Sequence, residues 1–533
     1  MSDNSINEKK TRKTYGMAVA TAIVMVGLVF SKMSSFLREV FIGIKFAPVY
    51  RDAFILAFTI PDIVFNLLVG GAIQSAITPT MSSYISKGKE KEGWRVVNIF
   101  ISVLAVVLIV FIVAGVLFSD ELYVFFFAKN KGIYTCQLAG MASKWLFPQI
   151  FFMMLAALCI GILNSYKRFG STAFGPTIYS IFVLASIYFF AGNTPGQLTM
   201  TTAGVLGATV IYFLFQFIIG FDKLKYFRFD FKPADPEFLL LLRKALPILF
   251  SASVVQVNLA IIRKFTLEFA DSTDGNIYLL NNATTIWQLP YGIFAVGLGN
   301  VMLPSLAALY GQKKTGECSD LLSSRLRSAL FLTVPSSGFL LLMNTDVMKA
   351  AFQWGSGYTD EDARIAGLFL IGYCIAIVTH SIVFIMNQAY YAIGKTKIPL
   401  IAGSICLITN PLMCMYFRDH GMSLIWLTIS YSITSTIQMI VLCLLSRKYK
   451  EIKPHSMPSF FIKTAVCVSV MCAALWVLDM FFPGQGNKIS QLTILAGKGI
   501  ACVVIYFVLA LVLKMPEATE WIGKFRSKIG RAR

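Results

Sequence analysis

Charged side chains are scarce in this sequence: 14% of its 533 residues carry charge and 56% are hydrophobic, with a mean hydropathy of +0.70. A soluble domain of this length does not look like that, so lipid is the solvent for most of the chain. Acids are the scarcer sign, 27 Asp and Glu against 47 Lys and Arg, for a net charge of +20. In a soluble protein that excess would suggest nucleic acid. In a polytopic one it collects in cytoplasmic loops, and no nucleic-acid partner is expected. Histidine is nearly missing, with His380, His420 and His455 scattered. No HExxH, GxSxG or Walker A motif occurs, and no nearby acidic pair suits sugar transfer. These absences argue against an enzyme, against a bound cofactor or metal, and against ATP as the direct drive. The 10 Cys include no CxxC, and most (Cys159, Cys374, Cys406, Cys443, Cys467, Cys472, Cys502) fall inside apolar stretches as packing residues.

What the sequence does hold is a regular alternation of loops. Lys87, Lys89, Lys91 and Arg95 mark one basic connection, and Lys167 with Arg168 the next. Lys223, Lys225, Arg228 and Lys232 follow, then Lys313 with Lys314 and Lys395 with Lys397. Arg447, Lys448, Lys450 and Lys453 precede a basic tail ending at Arg533. The loops between them are poor in cations or acidic, as at Asp271–Asp274 and Asp360–Asp362. An even number of spans with both termini cytoplasmic satisfies this pattern, about 14 helices of the ~20 residues a bilayer demands. The basic start (Lys9, Lys10, Arg12, Lys13) resembles a signal peptide, but no small-residue cleavage site follows it. A retained first helix is expected.

Two patterns recur at nearly the same offset. Asn164-Ser165-Tyr166 through Gly170 and Pro176 parallels Asn387 through Tyr390, Gly394 and Pro399. Tyr166 and Tyr390 are 224 positions apart by subtraction, as are Gly170 and Gly394, while Pro79 and Pro304 differ by 225. A duplication explains the shared offset. It predicts an all-α polytopic membrane protein: two six-helix lobes, residues 1–232 and 233–454, related by pseudo-twofold symmetry, with a substrate site between parallel repeats. Residues 455–533 would add a helix pair and the basic tail. Helix breakers inside apolar spans (Pro61, Gly70-Gly71, Pro148, Pro247, Pro290, Gly292, Gly297, Gly299) read either as tolerated or as bending positions. Those at Pro61 with Gly70-Gly71 and at Pro290 with Gly297 and Gly299 occupy corresponding spans, which favours bending.

Charge inside apolar sequence is the sharpest signal. The run Gly16–Phe30 leads directly into Ser31-Lys32-Met33-Ser34-Ser35-Phe36-Leu37-Arg38-Glu39, and apolar sequence resumes at Val40. An Arg or Lys near the bilayer centre costs roughly 2.5–3.5 kcal/mol on the most lenient scale, so such charges face a wet cavity or an anionic cargo. Asp62 adds an acid in the next span. Lys45, Arg51 and Asp52 flank a turn at Pro48 and read equally as outer-surface residues. The second half offers Gln256, Asn258, Arg263, Lys264 and Glu268 within one long apolar span, where Glu268 could neutralise Lys264 at i,i+4. Arg263 would still need a partner. A planar guanidinium binds phosphate bidentately, so a diphosphate-bearing lipid is a plausible cargo.

With Asp52-Ala53-Phe54, Ile60-Pro61-Asp62, Gly71-Ala72 and Pro79–Tyr84 added, the opening resembles that of the MurJ (MviN) lipid II flippases. These belong to the multidrug/oligosaccharidyl-lipid/polysaccharide exporter superfamily. Gly161–Phe169, Leu289-Pro290, Leu303–Leu306, Phe352–Gly355 and Tyr391–Pro399 extend the resemblance through both halves. It implies a monomeric inner-membrane flippase for lipid II or a related undecaprenyl-diphosphate glycolipid. Association with membrane lipids and the cell-wall synthesis machinery is implied too. Substrate-binding residues would be Lys32, Arg38, Glu39, Asp52, Asn66, Gln256, Asn258, Arg263 and Lys264, around a cationic cavity open by alternating access. The last two helices would line a groove for the lipid tail. This chain departs from the family at Phe65 and Asn66, where many members pair arginines, and at Thr285, in place of a cavity arginine. Ile262 replaces an acid that binds sodium in some members, so membrane potential is the expected drive and sodium coupling is doubtful. The alternatives are a flippase for another undecaprenyl-linked glycan (teichoic acid, capsule or O-antigen type) and, more distantly, a membrane-embedded polyprenyl-phosphate transferase. A multidrug exporter for cations fits a cation-lined cavity poorly.

Overall fold

The computed structural model describes residues 30, 33–70, 77–128, 132–166, 168–455, 457–484 and 486–529. Lys32 lies outside them. As composition predicts, helices run throughout and no strand occurs among the described residues. By packing, the chain divides into two compact units, Met1–Leu267 and Glu268–Arg533.

In the first unit the helices are α1 (33–45), α2 (Pro48–Ala57), α3 (Thr59–Phe65), α4 (Thr78–Ser86) and α5 (Glu90–Leu117). Then come α6 (Ser119–Phe127), α7 (Ile133–Ser165), α8 (Phe169–Phe190), α9 (Pro195–Leu224) and α10 (Pro236–Thr266). The second unit begins with α11 (Asn276–Pro290), α12 (Gly297–Gly311), α13 (Thr315–Leu342), α14 (Asn344–Phe352) and α15 (Asp360–Ala392). It ends with α16 (Lys397–Asp419), α17 (Ile425–Ser446), α18 (Met457–Phe481), α19 (Lys488–Val512) and α20 (Pro516–Ile529).

Many of these helices place large apolar side chains outward as well as inward. Val110, Leu117, Phe125, Ile218 and Val512 are 64–79% exposed. Apolar side chains displayed along helices this long need a hydrocarbon surround. Ten helices among the described residues are long and apolar enough to cross a membrane, and α13 with α14, bent by 87°, qualifies as a pair. Inside the first unit, Trp94, Phe100, Phe147, Met154 and Leu158 form one core. In the second, Leu326, Phe331, Met386, Tyr390, Met471 and Tyr506 form another. All ten cysteines are free thiols, eight of them buried in such packing.

The duplication is written in the elements themselves. Helices α5 and α6 hold 28 and 9 residues, and α13 and α14 hold 28 and 9. Their starts, Glu90 and Thr315, then Ser119 and Asn344, are each 225 positions apart by subtraction. Helices α7 and α15 both run 33 residues. Each half also carries a π-helical turn after a helix-breaking proline, Asn66–Gly70 and Tyr291–Val296, whose first residues are again 225 apart. Such turns are rare and concentrate at functional sites. Packing and repeat divide the chain at different places. Helix α10, expected from the sequence to open the second repeat, packs with α3 and the Asn66–Gly70 turn of the first unit.

Capping fixes where the long helices begin. Asp235 caps α10 by accepting from the amides of Glu237 (2.9 Å) and Phe238 (3.2 Å), and Arg95 Nη2 reaches the same carboxylate at 3.0 Å. The Phe238 amide and Arg95 hold this carboxyl below its usual range. Thr359 and Asp362 form a reciprocal capping box at the start of α15.

Candidate functional site

Helix α1 brings Arg38 and Glu39 into the first unit. Arg38 Nη2 and Nε donate to Glu39 Oε1 at 2.7 and 3.3 Å, and the Glu39 side chain is only 3% exposed. A buried carboxylate thus grips one edge of the guanidinium, while the Arg38 side chain stays 29% exposed. Its Nη1 has no partner among the described residues, so donor capacity is left for an anion. Adjacent residues on a helix point about 100° apart. The pair therefore needs the arginine to curl back, which fixes its orientation.

Helices α3 and α10 supply the facing groups. Arg263 Nη1 donates to Thr59 Oγ1 at 2.8 Å. Asp62, one turn beyond Thr59, feels the charges of both Arg263 and Arg38. The Tyr179 phenol on α8 also lies in the field of Arg38 and accepts from Gln149 Nε2 of α7 at 3.1 Å. Five helices therefore converge: α1, α3, α7, α8 and α10. Arg38 and Arg263 both act on the Asp62 carboxylate. Asp62 joins them and offsets part of their charge.

The other sequence-based candidates are distributed differently. Gln256 and Arg263, seven residues apart, share a face of α10, while Asn258 points away from it and is 4% exposed. Lys264 makes no ion pair among the described residues. The i,i+4 partner considered for it, Glu268, is bonded to Arg418. Asn66 Nδ2 donates to the Asp62 carbonyl at 2.8 Å, committing that nitrogen to its own helix at the π turn. Gly70 completes the turn because a Cβ there would come within 2.9 Å of Asn66 Oδ1.

The outer-surface reading of Arg51 and Asp52 is corrected by the structure, where both are buried. Arg51 Nε bonds the Phe46 carbonyl at 2.8 Å and Nη2 the Gly43 carbonyl at 2.6 Å. The last carbonyls of a helix have no partner within it, so a cation from α2 closes the end of α1. Lys45 keeps a peripheral position, its Nζ 5.0 Å from the Tyr188 ring. Sequence reasoning left Asp62 and Tyr179 off the binding set. Asp62 was visible as an acid in an apolar span, whereas nothing separates Tyr179 from an ordinary membrane tyrosine.

Residues 44–497 match the family model described as "Lipid II flippase MurJ". The chain belongs to the MurJ family. A "Probable lipid II flippase MurJ" from Buchnera aphidicola subsp. Acyrthosiphon pisum is 27% identical over 464 residues, covering 84% of this chain and 87% of that relative. The "Lipid II flippase MurJ" of Burkholderia cenocepacia is 25% identical over 493 residues, with 89% and 92% coverage. Among solved structures, "Lipid II flippase MurJ, inward closed conformation" superposes with a TM-score of 0.74 at 20% identity, over 92% of this chain and 98% of that one. An inward-facing multidrug resistance MATE family transporter gives 0.65 at 15% identity, over 80% and 97%. These likenesses establish the fold.

Proposed function

We propose that this protein moves lipid II from the cytoplasmic to the outer leaflet of a bacterial inner membrane, with the anionic headgroup bound by Arg38 and Arg263. The observation that carries this reading is the guanidinium of Arg38, gripped along one edge by Glu39, with Arg38 and Arg263 both acting on the Asp62 carboxylate. A phosphate oxygen entering there competes with Asp62 for the two arginines, and its departure returns them to that carboxylate. Asp62 thus offsets part of the cationic charge once the cargo leaves, which suits a transporter that must release it. Lys32 would add a third cation. Alternating exposure of this site to the two sides completes the cycle, and the named relatives support lipid II over other undecaprenyl-linked glycans.

The drive proposed here is membrane potential rather than sodium. Ile262, standing where some relatives carry a sodium-binding acid, is fully buried, and the neighbouring Arg263 and Lys264 repel a cation. A potential positive outside would favour return of the emptied cationic site to the inside, at about 2.3 kcal/mol per elementary charge per 100 mV. Reconstitution into proteoliposomes containing lipid II tests both statements. Flipping is expected to continue when potassium replaces sodium and to rise with potential. Steep sodium dependence at zero potential overturns the coupling, and no flipping under any condition overturns the substrate.

Orientation follows from the loop charges, with both termini cytoplasmic. Cysteines introduced at Gly196 and Ser272 are expected to react in intact cells with an impermeant thiol reagent, while one at Lys314 stays unlabelled. Labelling at position 314 reverses the topology.

A further inference from the structure

The helix pair outside the repeat carries charges that neither the duplication nor the proposed transport site uses. Lys498 sits ten residues into α19, and its side chain is 4% exposed. Its Nζ lies 2.5 Å from Asp479 Oδ1 on α18 and 3.9 Å from Asp346 Oδ2 on α14. One lysine thus serves two carboxylates, and Asp346 receives the looser share, with no hydrogen bond among the described residues. One turn along α14, Lys349 Nζ pairs with Asp360 Oδ1 at 2.6 Å. Lys488 bonds the Lys349 carbonyl, and its Nζ lies 5.0 Å from the Trp354 ring. Gln491 gives its amide nitrogen to the Gly486 carbonyl at 3.2 Å, while its Oε1 is buried with no partner among the described residues.

Asp346, Lys349, Gln491 and Lys498 line an open cleft whose apolar wall is Ile494 and Leu495. Gly484, on the α18–α19 connection, also lines it, and a Cβ there would touch the Asp346 carboxylate at 3.4 Å. The cleft opens beside the ends of α18 and α19, where Met480, Phe481 and Ile489 are 66–75% exposed. It therefore presents charge at the edge of the apolar surface.

The charges select the ligand class. A simple metal cation meets Lys349 and Lys498, and a simple anion meets Asp346 and Asp479. A molecule bearing both signs meets an opposite charge at each of its ends. Asp346 and Lys349, three residues apart, share one face of α14 and present an anion beside a cation. An ammonium with free N–H groups can donate to Asp346 and to the empty Gln491 Oε1, while a phosphate turns to Lys349 and Lys488. Acyl chains would continue over Ile494, Leu495 and the exposed ends of the pair. We propose that this cleft binds the headgroup of a phosphoethanolamine lipid from the surrounding bilayer. The extra helix pair then reads bilayer composition at a place separate from the transport site. Phosphatidylcholine is discriminated because its methylated nitrogen cannot donate, and phosphatidylglycerol because it has no ammonium.

The test uses the full-length purified protein in detergent, titrated separately with dioleoyl phosphatidylethanolamine, phosphatidylcholine and phosphatidylglycerol and read by native mass spectrometry. Phosphatidylethanolamine is expected to bind roughly tenfold more tightly than the other two. Asp346→Asn and Gln491→Leu should each reduce that preference at least several-fold. Lys498 is left intact because its loss would strand Asp479. Equal binding of the three lipids overturns the proposal, as does a preference that survives both substitutions in well-folded protein. Preference for phosphatidylglycerol assigns the cleft to anions and overturns it as well.

Discussion

Arg38→Ala is expected to cut lipid II transport by about ten- to a hundredfold while the protein accumulates at its normal level. A charge-assisted hydrogen bond is worth roughly 1.5–3 kcal/mol, and each 1.4 kcal/mol is a factor of ten. Arg38 should matter to the cargo more than to the fold. Its side chain remains partly exposed, and its grip runs to the adjacent residue rather than between distant helices. Arg38→Lys should rescue only in part, because an ammonium can hold Glu39 or a phosphate oxygen but cannot fork between them. Complementation of a flippase-depleted strain, at matched protein level, measures the effect. Growth of the alanine variant like wild type removes Arg38 from the site.

Arg51→Ala should fail in the opposite way, losing the protein rather than its transport. Arg51 is 3% exposed and bonds two carbonyls at the end of α1. Removing it forfeits two charge-assisted bonds, about 3–6 kcal/mol if both count fully, and leaves buried carbonyls unpaired. Accumulation should fall sharply and the melting temperature of the purified protein should drop. Arg51→Lys should recover part of this, since one ammonium cannot span both oxygens as squarely. A variant that accumulates and melts like wild type but no longer transports would make Arg51 a cargo ligand instead. The two arginines, 13 positions apart in a charged stretch, are thus separated by which assay each one moves.

The fold was legible because its causes are local or periodic. Apolar length sets the spans, loop charge suggests orientation, and the offset seen at Tyr166 and Tyr390 returns in the matched lengths of α5–α6 and α13–α14. The site was legible only in part. Arg38 and Arg263 stood out because charge in an apolar span is costly wherever it packs. Asp62 was visible as an acid in an apolar span but not as a neighbour of both arginines, and Tyr179 was not visible at all, since such placement depends on several helices meeting, which no spacing rule encodes. Arg51 shows the same limit: a buried cation looks identical in sequence whether it serves a ligand or a helix end. Glu268 shows its converse, because the favourable i,i+4 geometry toward Lys264 lost to Arg418, 150 positions away.

The π turn at Tyr291–Val296 has a mechanical consequence. A π turn holds one residue more than the α turn it replaces, and one residue is worth about 100° of rotation and 1.5 Å of rise. Helix α12 follows it without interruption, burying Gly299, Met302 and Leu306 while Val301 faces outward at 65% exposure. Moving the extra residue out of that turn would screw α12 about its own axis by one step and hand the inward positions to sequence neighbours. Such a helix has two discrete registers rather than a continuum of bends, so a half-step would satisfy neither set of side chains. The matching turn at Asn66–Gly70 lies at the corresponding place in the other half.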